Sequence, residues 1–388
     1  MVKHGSKWKV YEVKSSTSIS ETYLNDISVQ YYVISNSGLH ISDISIVYIN
    51  NEYVRHGKLE LDQLFNIESL LEFAIEKQEW VSEEVERLKN VVALKEIPNV
   101  DIGMQCTDPY QCAFIGYCWN DIPENSVFDI SRMHRRKKFE LYEQGIVSLE
   151  DIPEDYELPA SQKLQIDSYI NGKTTINEQA IKEFLKTINY PLYYMDFETF
   201  QPAIPLFDNS KPYQQIPFQF SLHYQKSKDS TLQHSEFLAE AGQDPRPEFI
   251  ERLLKDTKEP GDMLVYNKSF EITRLKEIAR DFPKYTKEIN ERILRIKDLM
   301  IPFQRKWYYT PEMQGSYSIK YVLPALVPEL SYDKLEIKEG GSASMSFEGL
   351  FSETDLFKVQ ETRKNLLEYC KMDTLAMVEI LNTLQMFI

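Results

Sequence analysis

Two kinds of hydrophobic periodicity divide the chain. Residues 8–14, Trp-Lys-Val-Tyr-Glu-Val-Lys, alternate apolar and polar side chains and predict a strand. A Ser/Thr-rich turn follows, then a helix through 26–34 and a second strand at 44–49. Residues 64–94 carry helical spacing and mixed charge. Residues 128–185 read as helical and polar, interrupted by Pro153 and Pro159, and are expected to form a connector. The pattern changes at Tyr190, where the apolar run 191–195 ends in acids, as a central strand does when it delivers its C-terminal end to a site. Further strands are expected at 218–224, 234–239 and 263–266, with helices near 246–255 and 269–280. After a Pro- and Tyr-rich excursion, a long helix closes the pattern from about 356 to 387. Three consecutive strands followed by alternating helix and strand predict an α/β domain with a mixed sheet. The expected division is 1–125, a connector at 126–186, and 187–388.

At 388 residues and 42% hydrophobic content, the chain can bury cores for two or three domains. It contains no run of about 18 apolar residues, and its first residues, Met1-Val2-Lys3-His4-Gly5-Ser6, lack the apolar core of a signal peptide. No membrane association and a cytoplasmic location are therefore expected. Four cysteines are too few for a disulfide-built scaffold, and three of them, Cys106, Cys112 and Cys118, lie close together, which points to metal. The formal net charge of −16 argues against indiscriminate binding along a phosphate backbone. The densest basic stretch is Arg132, Arg135, Arg136, Lys137 and Lys138, either a contact for nucleic acid or a solvated helix face.

The candidate chemistry is carboxylate-based. Hydrolysis of a phosphodiester by two metals needs several carboxylates converging on cations about 3.5–4 Å apart, and hard oxygen ligands suit Mg²⁺ or Mn²⁺. Asp196 and Glu198 stand two apart on a predicted strand, so both project from one face. In Tyr266-Asn267-Lys268-Ser269-Phe270-Glu271, a buried strand turns into a helix and sets Glu271 near its start. Tyr369 and Asp373 share a face of the last helix, where a tyrosine can orient an attacking water.

In this order, the pieces resemble the three motifs of the DEDD exonuclease superfamily (DnaQ-like) in its tyrosine-bearing subclass, over roughly residues 188–388. The resemblance implies an RNase H-like fold, two divalent metals and stepwise removal of nucleotides from a 3′ end. It also implies that Asp196 bridges both metals, that Glu198 and Asp373 complete the shell, and that Tyr369 positions the water. Glu271 stands where the superfamily usually has Asp, and Asp298 resembles a further acidic position with a supporting role. The stretch from Gly315-Ser-Tyr-Ser-Ile-Lys320 to Tyr332, followed by Gly340-Gly341, resembles a bacterial uncharacterised family in which a RecB-like nuclease region precedes such an exonuclease domain. Its aromatics and Lys320 suit packing or contact with a nucleotide strand.

The amino-terminal region adds Glu12 and Lys14, an acid and a lysine on one face of a strand, which can hold a metal and polarise a phosphate. With Gln30 on the following helix and the downstream cysteines, they resemble the Glu-x-Lys end of PD-(D/E)xK nucleases of RecB type. The position four residues after Gln30, a tyrosine in that type, is Ile34. Cys106, Cys112 and Cys118 resemble the last three ligands of the 4Fe–4S iron–sulfur cluster in such nucleases, with Phe114 and Tyr117 as shielding residues and Zn²⁺ as the other candidate. The family spacing places two residues between the first pair, and here there are five. A fourth ligand and a catalytic Asp are expected before Met1, so this front site is expected to be incomplete alone, and Cys370 is expected in the core.

The function expected from these readings is a metal-dependent 3′→5′ exonuclease on DNA or RNA, acting on a single-stranded or 3′-ended nucleic acid. A nuclease- or helicase-type protein partner and a role in DNA repair fit by analogy of fold. Two rivals remain: a non-catalytic nucleic-acid-binding or scaffolding protein with a decayed site, and an α/β protein whose acids are surface residues.

Overall fold

A computed structural model describes residues 1–387, as a mixed α/β protein whose chain divides into two compact units. The first unit comprises Met1–Trp119 and Pro202–Gln214. It contains β1 (Val2–His4), β2 (Lys7–Val13), α1 (Glu21–Asn36), β3 (Ile41–Ile49), α2 (Leu61–Leu64), β4 (Phe65–Ser69), α3 (Leu71–Glu76), α4 (Gln78–Val92) and α5 (Ile115–Cys118). The sheet order is β1-β2-β3-β4, with β2 and β3 parallel and connected through α1. Val10, Ile27, Ile44, Ile46 and Ala74 form its core. Helical spacing does not hold through 64–94, because Phe65–Ser69 pairs antiparallel with β3 as an edge strand between α2 and α3. The segment around Ala203, Ile204 and Tyr213 packs on Ile49, Tyr53 and Leu64, so it belongs with this unit although the sequence pattern assigned it to the other.

The second unit comprises Asn120–Gln201 and Gln215–Ile388. Its connector portion holds α6 (Arg135–Glu143), α7 (Ala160–Asn171), β5 (Thr175–Ile176) and α8 (Glu178–Lys186). Val127, Ile130, Leu141, Leu149 and Ile166 build a buried cluster there. The expected separate connector is thus an integral part of the second unit, because its apolar positions have a core to enter. The remaining elements are β6 (Leu192–Phe200), β7 (Ile216–Gln225), β8 (Gln233–Leu238), α9 (Arg246–Asp256), β9 (Asp262–Val265), α10 (Lys268–Asp281), α11 (Thr286–Ile293) and β10 (Ile296–Asp298). They are followed by α12 (Ile301–Gln304), β11 (Tyr308–Tyr309), α13 (Ile319–Leu326), α14 (Gly340–Gly349) and α15 (Leu356–Met386).

The main sheet runs β10-β9-β6-β7-β8, with β6–β7–β8 antiparallel and β9 and β10 joined parallel to β6. Strand alternation divides the residues of β6 between two faces. Phe197 packs edge-on against Phe249 of α9 at 5.0 Å, where Phe220 and Phe237 also meet that ring. Asp196 and Glu198 turn to the opposite face, towards α15, whose Cys370 Sγ lies 3.8 Å from the Asp196 carbonyl. At the end of β6, Phe200 and Phe218 pack on Phe347 of α14, the latter pair stacked at 4.0 Å. Neither β10 nor α14 was expected from the sequence. β10 is only three residues long, and α14 contains Gly340, Gly341 and Gly349, poor helix formers held by tertiary packing. Among the described residues, no helix is long and apolar enough to cross a membrane.

Gly261 fixes the approach of β9 to β6. It has φ +152°, and a Cβ there would fall 1.9 Å from the Pro191 carbonyl oxygen. Gly261→Ala is expected to cost more than about 2 kcal/mol in urea denaturation. Gly349→Ala, with open space at its Cβ position, is expected to change stability by less than about 1 kcal/mol.

Candidate metal centre

β6 brings Asp196 and Glu198 to one side of a cavity of about 190 Å³, and α15 brings Tyr369, Asp373 and Met377 to the other. Phe197, Tyr266, Ile319 and Lys320 complete its lining. Glu198, Glu271 and Asp373 are buried, whereas Asp196 is half-buried. Buried carboxylates normally have a cation or several donors beside them. These are largely uncompensated. Burial and the neighbouring Asp373 push Asp196 well above the usual carboxylate range. Burial, Asp196 and Asp373 do the same to Glu198, with Lys320 opposing. Burial raises Asp373 to about 7 against the pull of Tyr332 and Lys320.

Glu271 sits in the first turn of α10, 1% exposed, and its Oε2 has no hydrogen-bond partner among the described residues. Burial, then the Asp196 charge, raises its pKa. Its position depends on Asp298 at the end of β10. Asp298 Oδ1 accepts hydrogen bonds from the backbone N–H groups of Asn267 and Met300, both at 3.0 Å, and Oδ2 accepts from Lys268 N at 3.2 Å. Asn267 is left-handed at φ 76° and its side chain does not cap α10, so a carboxylate from another strand caps it instead. The expected supporting role of Asp298 is therefore to satisfy backbone donors and aim α10.

Sequence reasoning missed Tyr332, whose hydroxyl donates to Asp373 Oδ1 at 2.7 Å in a buried contact. Nothing in its local pattern links it to a helix 41 residues further on. Tyr369 stands 6.3 Å from the Tyr332 ring, and burial followed by the Asp373, Glu198 and Asp196 charges raises its phenol, so it stays protonated. Lys320 Nζ donates to the Lys338 carbonyl at 2.7 Å and faces the acids from the rim. Gly340 opens α14 beside them: a Cβ there would lie 3.5 Å from Glu198 Oε2, so the positive end of that helix faces the carboxylate.

Cys370, expected in the core, is fully buried, yet its Sγ also lies within 4.8 Å of ligand oxygens of Asp196 and Glu198. Burial and the three acids raise the thiol pKa, so it remains a neutral S–H, a poor match for a hard cation. The donors whose chemistry would fit Mg²⁺ or Mn²⁺ are the carboxylate oxygens, among them Glu271 Oε2, which is buried without a hydrogen-bond partner among the described residues.

The amino-terminal candidates form a different arrangement. Glu12 and Lys14 do share a face: Lys14 Nζ donates to Glu12 Oε1 at 2.8 Å and to Asp26 Oδ2 at 2.5 Å. Gln30 Nε2 donates to Asp26 Oδ1 at 3.2 Å. Burial lowers the Lys14 pKa, but the bonds to Asp26 and Glu12 outweigh it and the net shift is upward. This cluster largely neutralises itself. Among the cysteines, Cys106 is buried, Cys112 half-buried and Cys118 exposed, and all are free thiols. Phe114 and Tyr117, expected as shields, are 70% and 65% exposed because α5 is a single turn over no core. Among the described residues, the three metal-capable side chains whose ligand atoms converge within 4.8 Å are Asp196, Glu198 and Cys370, not Cys106, Cys112 and Cys118.

A domain of unknown function (DUF2779) matches residues 193–318, a span that carries Asp196, Glu198, Glu271 and Asp298. The chain is 26% identical over 236 residues to Uncharacterized protein UU173 of Ureaplasma parvum, covering 55% of this chain and 34% of that protein. It is 27% identical over 205 residues to the Uncharacterized protein MG366 homolog of Mycoplasma pneumoniae, covering 48% of this chain and 31% of that protein. The chain thus spans about a third of the length of these curated relatives. No solved structure matches.

A raised carboxyl pKa in the folded state means that the native protein holds protons the unfolded chain has already released. Metal-free stability is therefore expected to fall as pH rises from the ordinary carboxylate range, about 4, to about 7, the value to which burial raises Asp373 in the folded protein. In EDTA at pH 7.5, Asp196→Asn is expected to raise the melting temperature by roughly 2–4 °C. Calorimetry showing no rise for the variant and a flat wild-type profile over that window would contradict the repulsion.

Proposed function

We propose that the second unit is a metal-dependent 3′→5′ exonuclease, a hydrolase of phosphodiester bonds in DNA or RNA. The observation that carries this reading is the set of four carboxylates, Asp196, Glu198, Glu271 and Asp373, gathered from one strand and two helices with buried charge that a divalent cation would neutralise. The sheet supports an RNase H-like assignment: its first three strands form an antiparallel meander and the fourth and fifth extend parallel from the first. Asp196 and Glu198 on that first strand, and Tyr369 with Asp373 on the last helix, fit the DEDD arrangement in its tyrosine-bearing form.

The carboxylates of Asp196, Glu198, Glu271 and Asp373 are the residues that would hold Mg²⁺ or Mn²⁺. Such ions, when bound, supply Lewis acidity to the phosphodiester and lower the pKa of water. Tyr332 contributes by donating to Asp373 Oδ1, which fixes the orientation of that carboxylate. Tyr369, kept as a phenol, can donate to an oxygen in the pocket and orient an incoming water by accepting from it. Lys320 offers a positive charge to a substrate phosphate at the rim. The small cavity suits one strand end better than a duplex.

The amino-terminal Glu12, Lys14, Asp26 and Gln30 are not needed for this activity. Neither iron–sulfur nor zinc ligation by Cys106, Cys112 and Cys118 enters the proposal.

The test is release of mononucleotides from a 3′-labelled single strand of DNA or RNA with Mg²⁺ or Mn²⁺. Asp196→Ala and Asp373→Ala are each expected to reduce the rate by at least about 10³-fold, and Tyr369→Phe by about 10²-fold. Either ion is expected to raise the wild-type melting temperature more than that of Asp196→Ala. A wild-type protein that binds these ions but releases no nucleotide from either nucleic acid would sink the reading.

A further inference from the structure

The strand that enters the carboxylate pocket needs something to hold it outside the pocket, and the second unit carries an unassigned pair of cations beside it. Arg132 and Lys306 both have left-handed backbones, at φ 57° and 52°, a conformation that residues with a Cβ adopt uncommonly. Each places its charge over a tyrosine ring: the Arg132 guanidinium lies 5.0 Å from the Tyr317 centroid and Lys306 Nζ lies 3.8 Å from the Tyr309 centroid. Neither side chain has an ion-pair or hydrogen-bond partner among the described residues. Burial, then the nearby Arg132 charge, lowers Lys306 to about 8. Two like charges held together without a counter-ion are unfavourable unless an anion joins them.

The pair is built rather than incidental. The chain on the amino side of Arg132 is clamped by two buried glutamines of α7: Gln165 Oε1 accepts from Ser131 N at 2.9 Å, and Gln162 Nε2 donates to Ser131 O at 3.0 Å. Between the two tyrosines runs Gly315, at φ +74°, whose N–H donates to Tyr309 Oη at 3.0 Å and whose missing Cβ leaves room for Gln165. The same segment continues to the metal centre. Tyr266, which lines the carboxylate cavity, donates its hydroxyl to the Tyr317 carbonyl at 2.7 Å, and Ile319 and Lys320 line that cavity themselves. Tyr317 and Ile319 are two residues apart, so the ring beneath Arg132 and the pocket wall belong to one stretch whose Cα atoms lie at most about 7 Å apart.

We propose that Arg132 and Lys306 bind a backbone phosphate of a single nucleic-acid strand whose 3′ end occupies the carboxylate pocket, with Tyr317 and Tyr309 as the walls that orient the two cations. The substrate class is then an oligonucleotide, not a lone nucleotide ester. This rests on the exonuclease reading for the position of the 3′ end, but the anion site itself has an independent readout.

The full chain, its Arg132→Gln and Lys306→Gln variants, and Arg132→Lys as a charge-retaining control are titrated in EDTA against a fluorescein-labelled single strand of roughly 15 nucleotides, as DNA and as RNA. Fluorescence anisotropy is recorded over a range of salt. Each charge-removing variant is expected to bind about tenfold more weakly and to reduce the slope of log affinity against log salt by about 1, while Arg132→Lys retains the slope. With Mg²⁺ or Mn²⁺, the same variants are expected to raise KM for the oligonucleotide and leave hydrolysis of a p-nitrophenyl ester of thymidine 5′-phosphate unchanged. Unaltered affinity and slope in both variants overturns the proposal, even if the wild-type chain degrades strands. Charge-dependent binding of polyglutamate with none for the oligonucleotide overturns it too, assigning the pair to an acidic peptide. A charge-dependent strand affinity without any hydrolysis upholds the phosphate site and sinks the exonuclease reading instead.

Discussion

Like charge confined away from water is the constraint on which the second unit turns. Asp196 and Glu198 project from a single strand towards Asp373, and Glu271, close enough to feel the Asp196 charge, has an oxygen without a hydrogen-bond partner among the described residues. A fold chosen for stability alone would replace such a set with apolar side chains or bring an arginine to it. This one surrounds the acids with phenols, a neutral thiol and the positive end of a short helix, groups that moderate the repulsion without cancelling it. The apolar rings on the other face of β6, Phe197 against Phe249, hold the strand in place while its acidic face stays strained.

The neighbouring groups divide that work by reach. Tyr332 fixes one oxygen of Asp373, and Asp298 fixes the backbone from which Glu271 departs. Lys320 is tied to the Lys338 carbonyl, so its charge is held at the rim and does not collapse onto the acids as a salt bridge. The amino-terminal cluster shows the opposite solution: Lys14 reaches both Glu12 and Asp26, and the charges meet within the protein. The contrast separates a group of acids with no lysine or arginine salt-bridged to them among the described residues from one that contains its own cation.

Legibility in the sequence followed the range of the signal. The alternation that puts Asp196 and Glu198 on one face, and the four-residue spacing that puts Tyr369 and Asp373 on another, are local properties, and both are present in the structure. Glu271 was legible because a strand-to-helix turn precedes it directly. Tyr332 was not, because its partner is set by the packing of α15 and not by its neighbours in sequence. The cap that Asp298 supplies to α10 crosses from one element to another and leaves no local trace. The edge strand Phe65–Ser69 was hidden inside a stretch with helical spacing, and the placement of Ala203 and Ile204 with the first unit was hidden by their position in the chain. The basic stretch at 132–138 was legible as charge but not as geometry: Lys138 donates to the Phe128 carbonyl, and Arg132 stands outside the helix that carries Arg135, Arg136, Lys137 and Lys138.

The position of α15 also sets an order of events. Asp196 is made early in its unit and Asp373 near the last of it, so the four-carboxylate set cannot exist until that final helix has docked across β6 and β7. Contacts so distant along the chain are slow to form. During synthesis the strand therefore emerges with its acids still in water, where their charge costs little, and is forced into opposition only at the closing step. The electrostatic strain of the site is thus a property of the docked helix, absent from the strand on its own and acquired in a single step when α15 closes over it.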